Sequence, residues 1–226
     1  MALPPAERHP RLSAARVYFV CEARPAGTGP EALLRATLDG GVGMLELREK
    51  SAAEDARLVE AAGPFRDAAE AHAVPLILND RPDLVRECGA DGVHLGQDDT
   101  PVAEARRVLG PDHVIGLSTH SAEQISAACS APADARPDYI SVGPVWETPT
   151  KSGRPATGLG LIEHAAREAT LPWFAIGGID TSNVSDVVAA GAERIVVVRA
   201  LRDAGDPAAA ARALREAVEA GTEAWE

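Results

Sequence analysis

Lysine is nearly missing from this chain. Of 22 basic residues only Lys50 and Lys151 are lysine, and asparagine and glutamine also occur just twice each, at Asn79, Asn183, Gln97 and Gln124. Acidic residues outnumber basic ones 34 to 22, a formal charge of -12, so no pool of positive charge exists to displace counterions from a nucleic acid or an acidic membrane. Any anionic ligand must meet local positive groups instead. Cysteine is scarce too: Cys21, Cys88 and Cys129 are odd in number and far apart, with no close pair of the kind that holds zinc or a redox disulfide. They read as small buried hydrophobes in a reducing compartment. Nowhere do about 18 apolar residues run uninterrupted, and the opening "MALPPAERHPRLSAAR" has arginines without an apolar core. A cytoplasmic protein with neither signal peptide nor membrane span is expected.

What is present is an ordinary globular composition, 46% hydrophobic and 25% charged, in 226 residues. Short apolar runs alternate with alanine-rich segments of helical period. The runs "RVYFV", "GMLEL", "PLILN", "GVHL", "HVIGLS", "DYISVG", "PWFAIG" and "RIVVV" are strand candidates over 16–20, 43–47, 75–79, 92–95, 113–118, 138–143, 172–177 and 194–198. Helices are expected near 30–39, 53–73, 82–88, 101–109, 121–129, 160–169, 181–190 and 207–220, several opening on a capping or first-turn residue such as Ser51, Pro101, Ser121 or Thr181. Continuously apolar strands joined by helical crossovers imply a parallel sheet covered by helices. Eight such units in a chain of this length predict an α/β fold, a single-domain (β/α)8 TIM barrel, with residues 1–15 as an N-terminal extension and 221–226 as a tail.

In such a barrel the chemistry lies just beyond the C-terminal ends of the strands. The unusual polar residues are there. Asp80 and Asp99 follow the third and fourth strands, so two carboxylates converge on one rim and could hold Mg²⁺, completed by water and phosphate oxygens. Capping the next helix is the equally common job of such an aspartate, and Asp98 could exchange roles with Asp99. Arg48 and Lys50, two residues apart after the second strand, share a face, and Lys151 faces them from the stretch "PVWETPTKSGRP". Together with a metal they would neutralise a polyphosphate, and Asn79 offers an amide to the same ligand unless it only ties down its own turn. Gly177 and Gly178 lead into the seventh helix, where barrels commonly seat a phosphate on backbone N–H groups; tight-turn glycines are the plainer reading. Two anion sites would mean two phosphorylated substrates.

The ordered motifs "LREK", "ILNDRPDL", "ADGVHLGQDD", "IGLSTHS", "DYISVGPVWETPTK", "FAIGGI" and "GAERIVVV" together resemble the thiamine-phosphate synthase family over about residues 16 to 200. The resemblance implies a (β/α)8 barrel that joins a hydroxymethylpyrimidine diphosphate to a thiazole phosphate, releasing pyrophosphate. It implies Mg²⁺ on Asp80 and Asp99, the pyrimidine diphosphate on Glu46, Arg48, Lys50, Asn79, Ser118 and Lys151, and the thiazole phosphate on Thr148, Thr150, Gly178, Val198 and Arg199. Arg48, Lys50, Ser118 and Lys151 would serve the departure of pyrophosphate, which precedes capture of a pyrimidine-stabilised cation by the thiazole nitrogen. Homo-oligomerisation is compatible with the sequence and not specified by it.

Two positions depart from the family pattern. Glu46 stands where glutamine is usual and Arg199 where serine is common. Glu46 would accept a hydrogen bond from the pyrimidine amino group or pair with Arg48, and Arg199 would clamp the thiazole phosphate. His94 and His120 are expected to tie down rim loops, since no second ligand stands at metal spacing. A thiazole tautomerase, or a non-catalytic binder of thiamine phosphate, are the alternatives. Both have little use for Arg48, Lys50, Asp80, Asp99 and Lys151 together.

Overall fold

The computed structural model describes residues 9–50, 54–148 and 155–223; Ser51, Thr150 and Lys151 lie outside them. After a short helix α1 (Pro10–Ala14), strands β1 (Val17–Cys21), β2 (Met44–Leu47), β3 (Leu76–Asn79), β4 (Gly92–Leu95), β5 (Val114–Thr119), β6 (Tyr139–Val142), β7 (Trp173–Ile176) and β8 (Ile195–Val197) follow one another round a closed barrel. Every pairing is parallel, and β8 closes onto β1 through Val17–Ile195 and Phe19–Val197. The crossovers are α2 (Glu31–Asp39), α3 (Asp55–His72), α4 (Val85–Cys88), α5 (Val102–Leu109), α6 (Ala122–Ser130), α7 (Leu159–Glu168) and α8 (Val184–Ala189). Two helices follow β8: a single turn α9 (Arg199–Arg202), absent from the sequence expectation, and α10 (Pro207–Glu223), which runs into the segment expected to be a tail.

The strands read as mostly apolar runs because both faces are buried. Outward side chains such as Phe19, Leu45, Leu47 and Ile195 pack under the helices in one large cluster. Inward ones, Tyr18, Met44, Ile77, Val114, Tyr139, Phe174 and Val196, fill the barrel. Gly116 is what admits Tyr139: a Cβ on it would lie 2.1 Å from the tyrosine ring. Helix α1 supplies Leu12, 1% exposed, to this inner cluster, so the segment expected to be an extension packs its last residues against the barrel. Of the expected caps, Ser121 accepts from Gln124 N, whereas Thr181 precedes the helix it was to open, which begins after Asn183.

Asp138 holds the N-terminal end of the barrel together. It is fully buried, takes Arg106 Nη2 at 2.6 Å and Ile115 N at 2.8 Å on one oxygen, and so ties β6, β5 and helix α5. Arg106 also donates to the carbonyls of Gly110 and His113. Both charges thus have the hydrogen bonds that a buried pair needs.

Candidate active site

A cavity of about 320 Å³ opens at the C-terminal ends of the strands. Its lining brings together Glu46, Arg48, Asn79, Ser118, Thr148, Gly178, Val198 and Arg199, residues from six strand ends. Lys50, Asp80 and Asp99 sit on the same rim, while Thr150 and Lys151 fall outside the described residues.

The carboxylate pair is close-knit. Lys50 Nζ lies 3.3 Å from Asp80 Oδ2, and Asn79 Nδ2 donates to Asp80 Oδ1 at 2.6 Å. Burial raises the pKa of Asp80, the Asp99 carboxylate within hydrogen-bonding reach adds to the rise, and Lys50 opposes it. Asp80 also has φ of +64°, a left-handed conformation that aspartate tolerates better than most residues. Strain and like charge at one point are characteristic of functional positions. Neither aspartate occupies the N-cap of the α-helix that follows it, where Leu84 and Pro101 stand. Asp99 Oδ2 instead accepts from Gly96 N at 2.7 Å and shapes its own turn. No group of three or more His, Cys, Asp or Glu able to hold a metal occurs among the described residues. Two carboxylates without a third protein ligand suit a cation that keeps water and takes substrate phosphate oxygens.

Asn79 Oδ1 is buried with no hydrogen-bond partner among the described residues. Arg48, half-buried, extends the β2 ladder by donating its N–H to Cys21 O, which aims the residue at the mouth. Glu46 is 3% exposed and accepts a short hydrogen bond from Tyr18 Oη. His94 differs from expectation: it lies inside the barrel, its ring between Tyr139 Oη at 3.0 Å and Ser118 Oγ at 2.9 Å. His120 does tie a rim loop, Nδ1 standing 2.5 Å from Gly143 O.

The opposite wall is backbone. Gly177 and Gly178 have φ of +111° and +70°, and a Cβ on Gly177 would fall 2.5 Å from Pro144, so the β7 loop can lie against the β6 loop only without side chains there. The two loops are stitched by Val145 N to Ile176 O and Trp146 N to Gly177 O. Thr157 N to Pro144 O and Gly158 N to Val145 O add two further bonds to the β6 loop. Asn183, notable in the sequence only for its rarity, fastens this wall: Nδ2 donates to Gly178 O and Oδ1 accepts from Asp180 N, both at 2.9 Å. Gln97 does the same for β5, reaching Ser118 O at 2.6 Å. Rarity in a lysine-, asparagine- and glutamine-poor chain is the one sequence signal available for both.

Known proteins align with most of this chain. The family model for thiamine monophosphate synthase matches residues 17–201, from β1 into α9. The thiamine-phosphate synthase of Acidothermus cellulolyticus is 49% identical over 88% of this chain and 93% of its own length, and that of Mycobacterium bovis 44% identical over 93% and 97%. In structure, the thiamine phosphate pyrophosphorylase from Pyrococcus furiosus superposes with a TM-score of 0.81 at 27% identity, over 95% of this chain and 98% of the other. A 3-hexulose-6-phosphate synthase, at 20% identity and a TM-score of 0.65, shares the fold alone. Because the match takes in every strand of the barrel and the rim segments that follow β2 to β8, the chain belongs to the thiamine-phosphate synthase family.

Proposed function

We propose that the cavity joins a hydroxymethylpyrimidine diphosphate to a thiazole phosphate, giving thiamine phosphate and pyrophosphate. The observation that carries this reading is two unlike sets of groups at the C-terminal ends of the strands, one lining the cavity and one beside it. On one side stand the Asp80 and Asp99 carboxylates with Lys50 and Arg48; on the other, the side-chain-free wall of Gly177 and Gly178 with Val198 and Arg199. A tautomerase or a simple binder needs only the second.

Asp80 and Asp99 would hold Mg²⁺, which when bound neutralises charge on the diphosphate. Arg48, Lys50 and Lys151 stabilise the charge that develops on the leaving pyrophosphate, and no strong base is required. Asn79 Oδ1 accepts from the pyrimidine, and Glu46 accepts from its amino group. Ser118 contacts the same substrate. Thr148, Thr150, Gly178, Val198 and Arg199 hold the thiazole phosphate, so that the ring nitrogen waits beside the carbon that loses pyrophosphate. A cytoplasmic enzyme acting on small phosphorylated molecules fits the unpaired cysteines and the acidic charge; no helix among the described residues is long and apolar enough to cross a membrane.

Two variants with opposite kinetic signatures test the division of labour. Lys151→Ala is expected to lower kcat by about 10²-fold, the scale for loss of one charged stabiliser of developing negative charge, while thiazole phosphate KM changes little. Arg199→Ala is expected to raise thiazole phosphate KM about tenfold, the equivalent of one charge-assisted hydrogen bond, with pyrimidine diphosphate KM unchanged. Steady-state kinetics with each substrate varied in turn decides it: equal effects on both substrates in either variant would remove that residue from its place.

A further inference from the structure

The turn after β7 carries an asparagine whose side chain works backwards along the chain. Asn183 stands at the N-cap of α8, yet its side chain bonds none of that helix's N–H groups. It reaches back across the turn instead: Nδ2 donates to Gly178 O and Oδ1 accepts from Asp180 N, both at 2.9 Å. Only this orientation of the amide fits, because a carbonyl must be met by the NH₂ end and an N–H by the oxygen. The turn has other ties. Asp180 Oδ1 accepts from Ser182 N at 2.8 Å and from Ser182 Oγ at 2.6 Å, and Asp180 O accepts from Val184 N at 3.0 Å. The course of the chain from Asp180 to Val184 is thus held without the Asn183 side chain. What that side chain adds is a grip on the backbone just before it.

That backbone borders the cavity: Gly177, Gly178, Ile179 and Asp180 line it, while Trp146 and Asn183 do not. Gly177 O accepts from Trp146 N at 3.1 Å and Gly178 O from Asn183 Nδ2, so both carbonyls are turned to residues outside the lining. Neither peptide is cis, and in a planar trans peptide the N–H points opposite to the C=O. Gly178 N–H and Ile179 N–H are thereby turned the other way. Neither has a hydrogen-bond acceptor among the described residues. Successive N–H groups in a turn make a concavity for anions, and this turn is set by Gly177 and Gly178 at φ +111° and +70°.

We propose that Asn183 is a positioning residue: by holding the Gly178 carbonyl it aims Ile179 N–H, beside Gly178 N–H, at one phosphate monoester. The inference rests on the function proposed above, which puts the thiazole phosphate on this wall; it adds Ile179 N–H as a contact and Asn183 as the group that sets it. Without the amide, the Gly178–Ile179 peptide can turn about the bonds that flank it, and a glycine at 178 has no Cβ to resist the turn. Gly178 N–H stays in place, since Trp146 N still holds Gly177 O. The anion loses one N–H of the two. The diphosphate, met by Lys50, Arg48 and the carboxylates at the other side of the rim, loses nothing.

Asn183→Asp and Asn183→Ala separate this role from a merely structural one. Aspartate still accepts from Asp180 N and is a good N-cap for α8, but it cannot donate to Gly178 O. Alanine does neither and adds no charge. In both variants thiazole phosphate KM is expected to rise about tenfold, the loss of one charge-assisted hydrogen bond, with kcat at saturation and pyrimidine diphosphate KM unchanged. An unchanged thiazole phosphate KM in the alanine variant, or equal rises for both substrates, overturns the proposal. Amide NMR of the full-length ¹⁵N-labelled protein reads the contact without turnover. Titration with inorganic phosphate is expected to move the Gly178 and Ile179 amide protons downfield in the unsubstituted protein, and that of Gly178 alone in the variants. An Ile179 amide that does not respond in the unsubstituted protein, or responds equally in all three, also overturns it. If neither variant folds, the titration of the unsubstituted protein decides alone. If its Ile179 amide responds and no thiamine phosphate is formed, the anion cradle stands and the proposed reaction falls.

Discussion

Asp80→Asn is expected to lower kcat/KM by roughly 10²- to 10³-fold, because a cation holding the leaving group is worth several kcal/mol of charge stabilisation. Asparagine is the informative replacement. It tolerates the left-handed backbone at φ +64°, where alanine would add strain, and keeps an oxygen where Asn79 Nδ2 donates. At pH values above the ordinary carboxylate range, the same substitution is expected to raise, not lower, the Tm of the metal-free protein. A carboxyl whose pKa is raised on folding binds more protons folded than unfolded. Its contribution therefore falls as pH climbs from the unfolded pKa through the folded one, and at neutral pH the charged group is a net cost that a neutral amide would not carry. Thermal melts at pH 7 against pH 4, with and without Mg²⁺, check this. Loss of activity together with a lowered Tm would mean that Asp80 is a structural residue, and the cation site would be withdrawn.

The largest stability effect is expected at the other end of the barrel. Arg106→Ala leaves Asp138, with no exposed surface, facing His9 at 4.0 Å and Ile115 N in place of its guanidinium partner. Removing one member of a buried ion pair costs about 3–5 kcal/mol, which for a chain of this size lowers Tm by roughly 6–20 °C. Asp138→Asn should cost less, since the amide oxygen still accepts from Ile115 N and Arg106 keeps the Gly110 and His113 carbonyls. At a temperature where both variants remain folded, KM for each substrate should be unchanged, because these residues lie at the ends of the strands away from the cavity. Denaturant melts and kinetics on the pair check the order; an Arg106→Ala protein as stable as its parent would show that the pair holds nothing together.

The contrast between these two ends explains what can be read from the sequence. The strands are legible because burial on both faces writes itself as runs such as "RIVVV", and the rim is legible because Asp80, Asp99, Arg48 and Lys50 interrupt those runs just after their ends. Helix α1 is not, since one apolar residue, Leu12, in a polar stretch has no period. A four-residue turn such as α9 has too few residues for one either. The hydrogen bonds that link Tyr18 to Glu46 and Tyr139 to His94 inside the barrel depend on strands meeting in space, which no local pattern encodes. Strand parity holds a hint: Glu46 shares a face with the inward Met44, and His94 with Gly92, which pairs Val114 and has a Cβ position 2.1 Å from the Val114 carbonyl oxygen. From sequence Glu46 goes with the pyrimidine or with Arg48, and its hydrogen bond to Tyr18 emerges only once β1 and β2 are paired.

The most direct measurement of the whole account is pyrophosphate release by the purified full-length protein, with each substrate and Mg²⁺ omitted in turn. Release that needs the pyrimidine diphosphate, the thiazole phosphate and Mg²⁺ together, in one-to-one proportion with thiamine phosphate, is the predicted result. Release that is indifferent to Mg²⁺, or a change in the thiazole phosphate alone with no pyrophosphate formed, would contradict it.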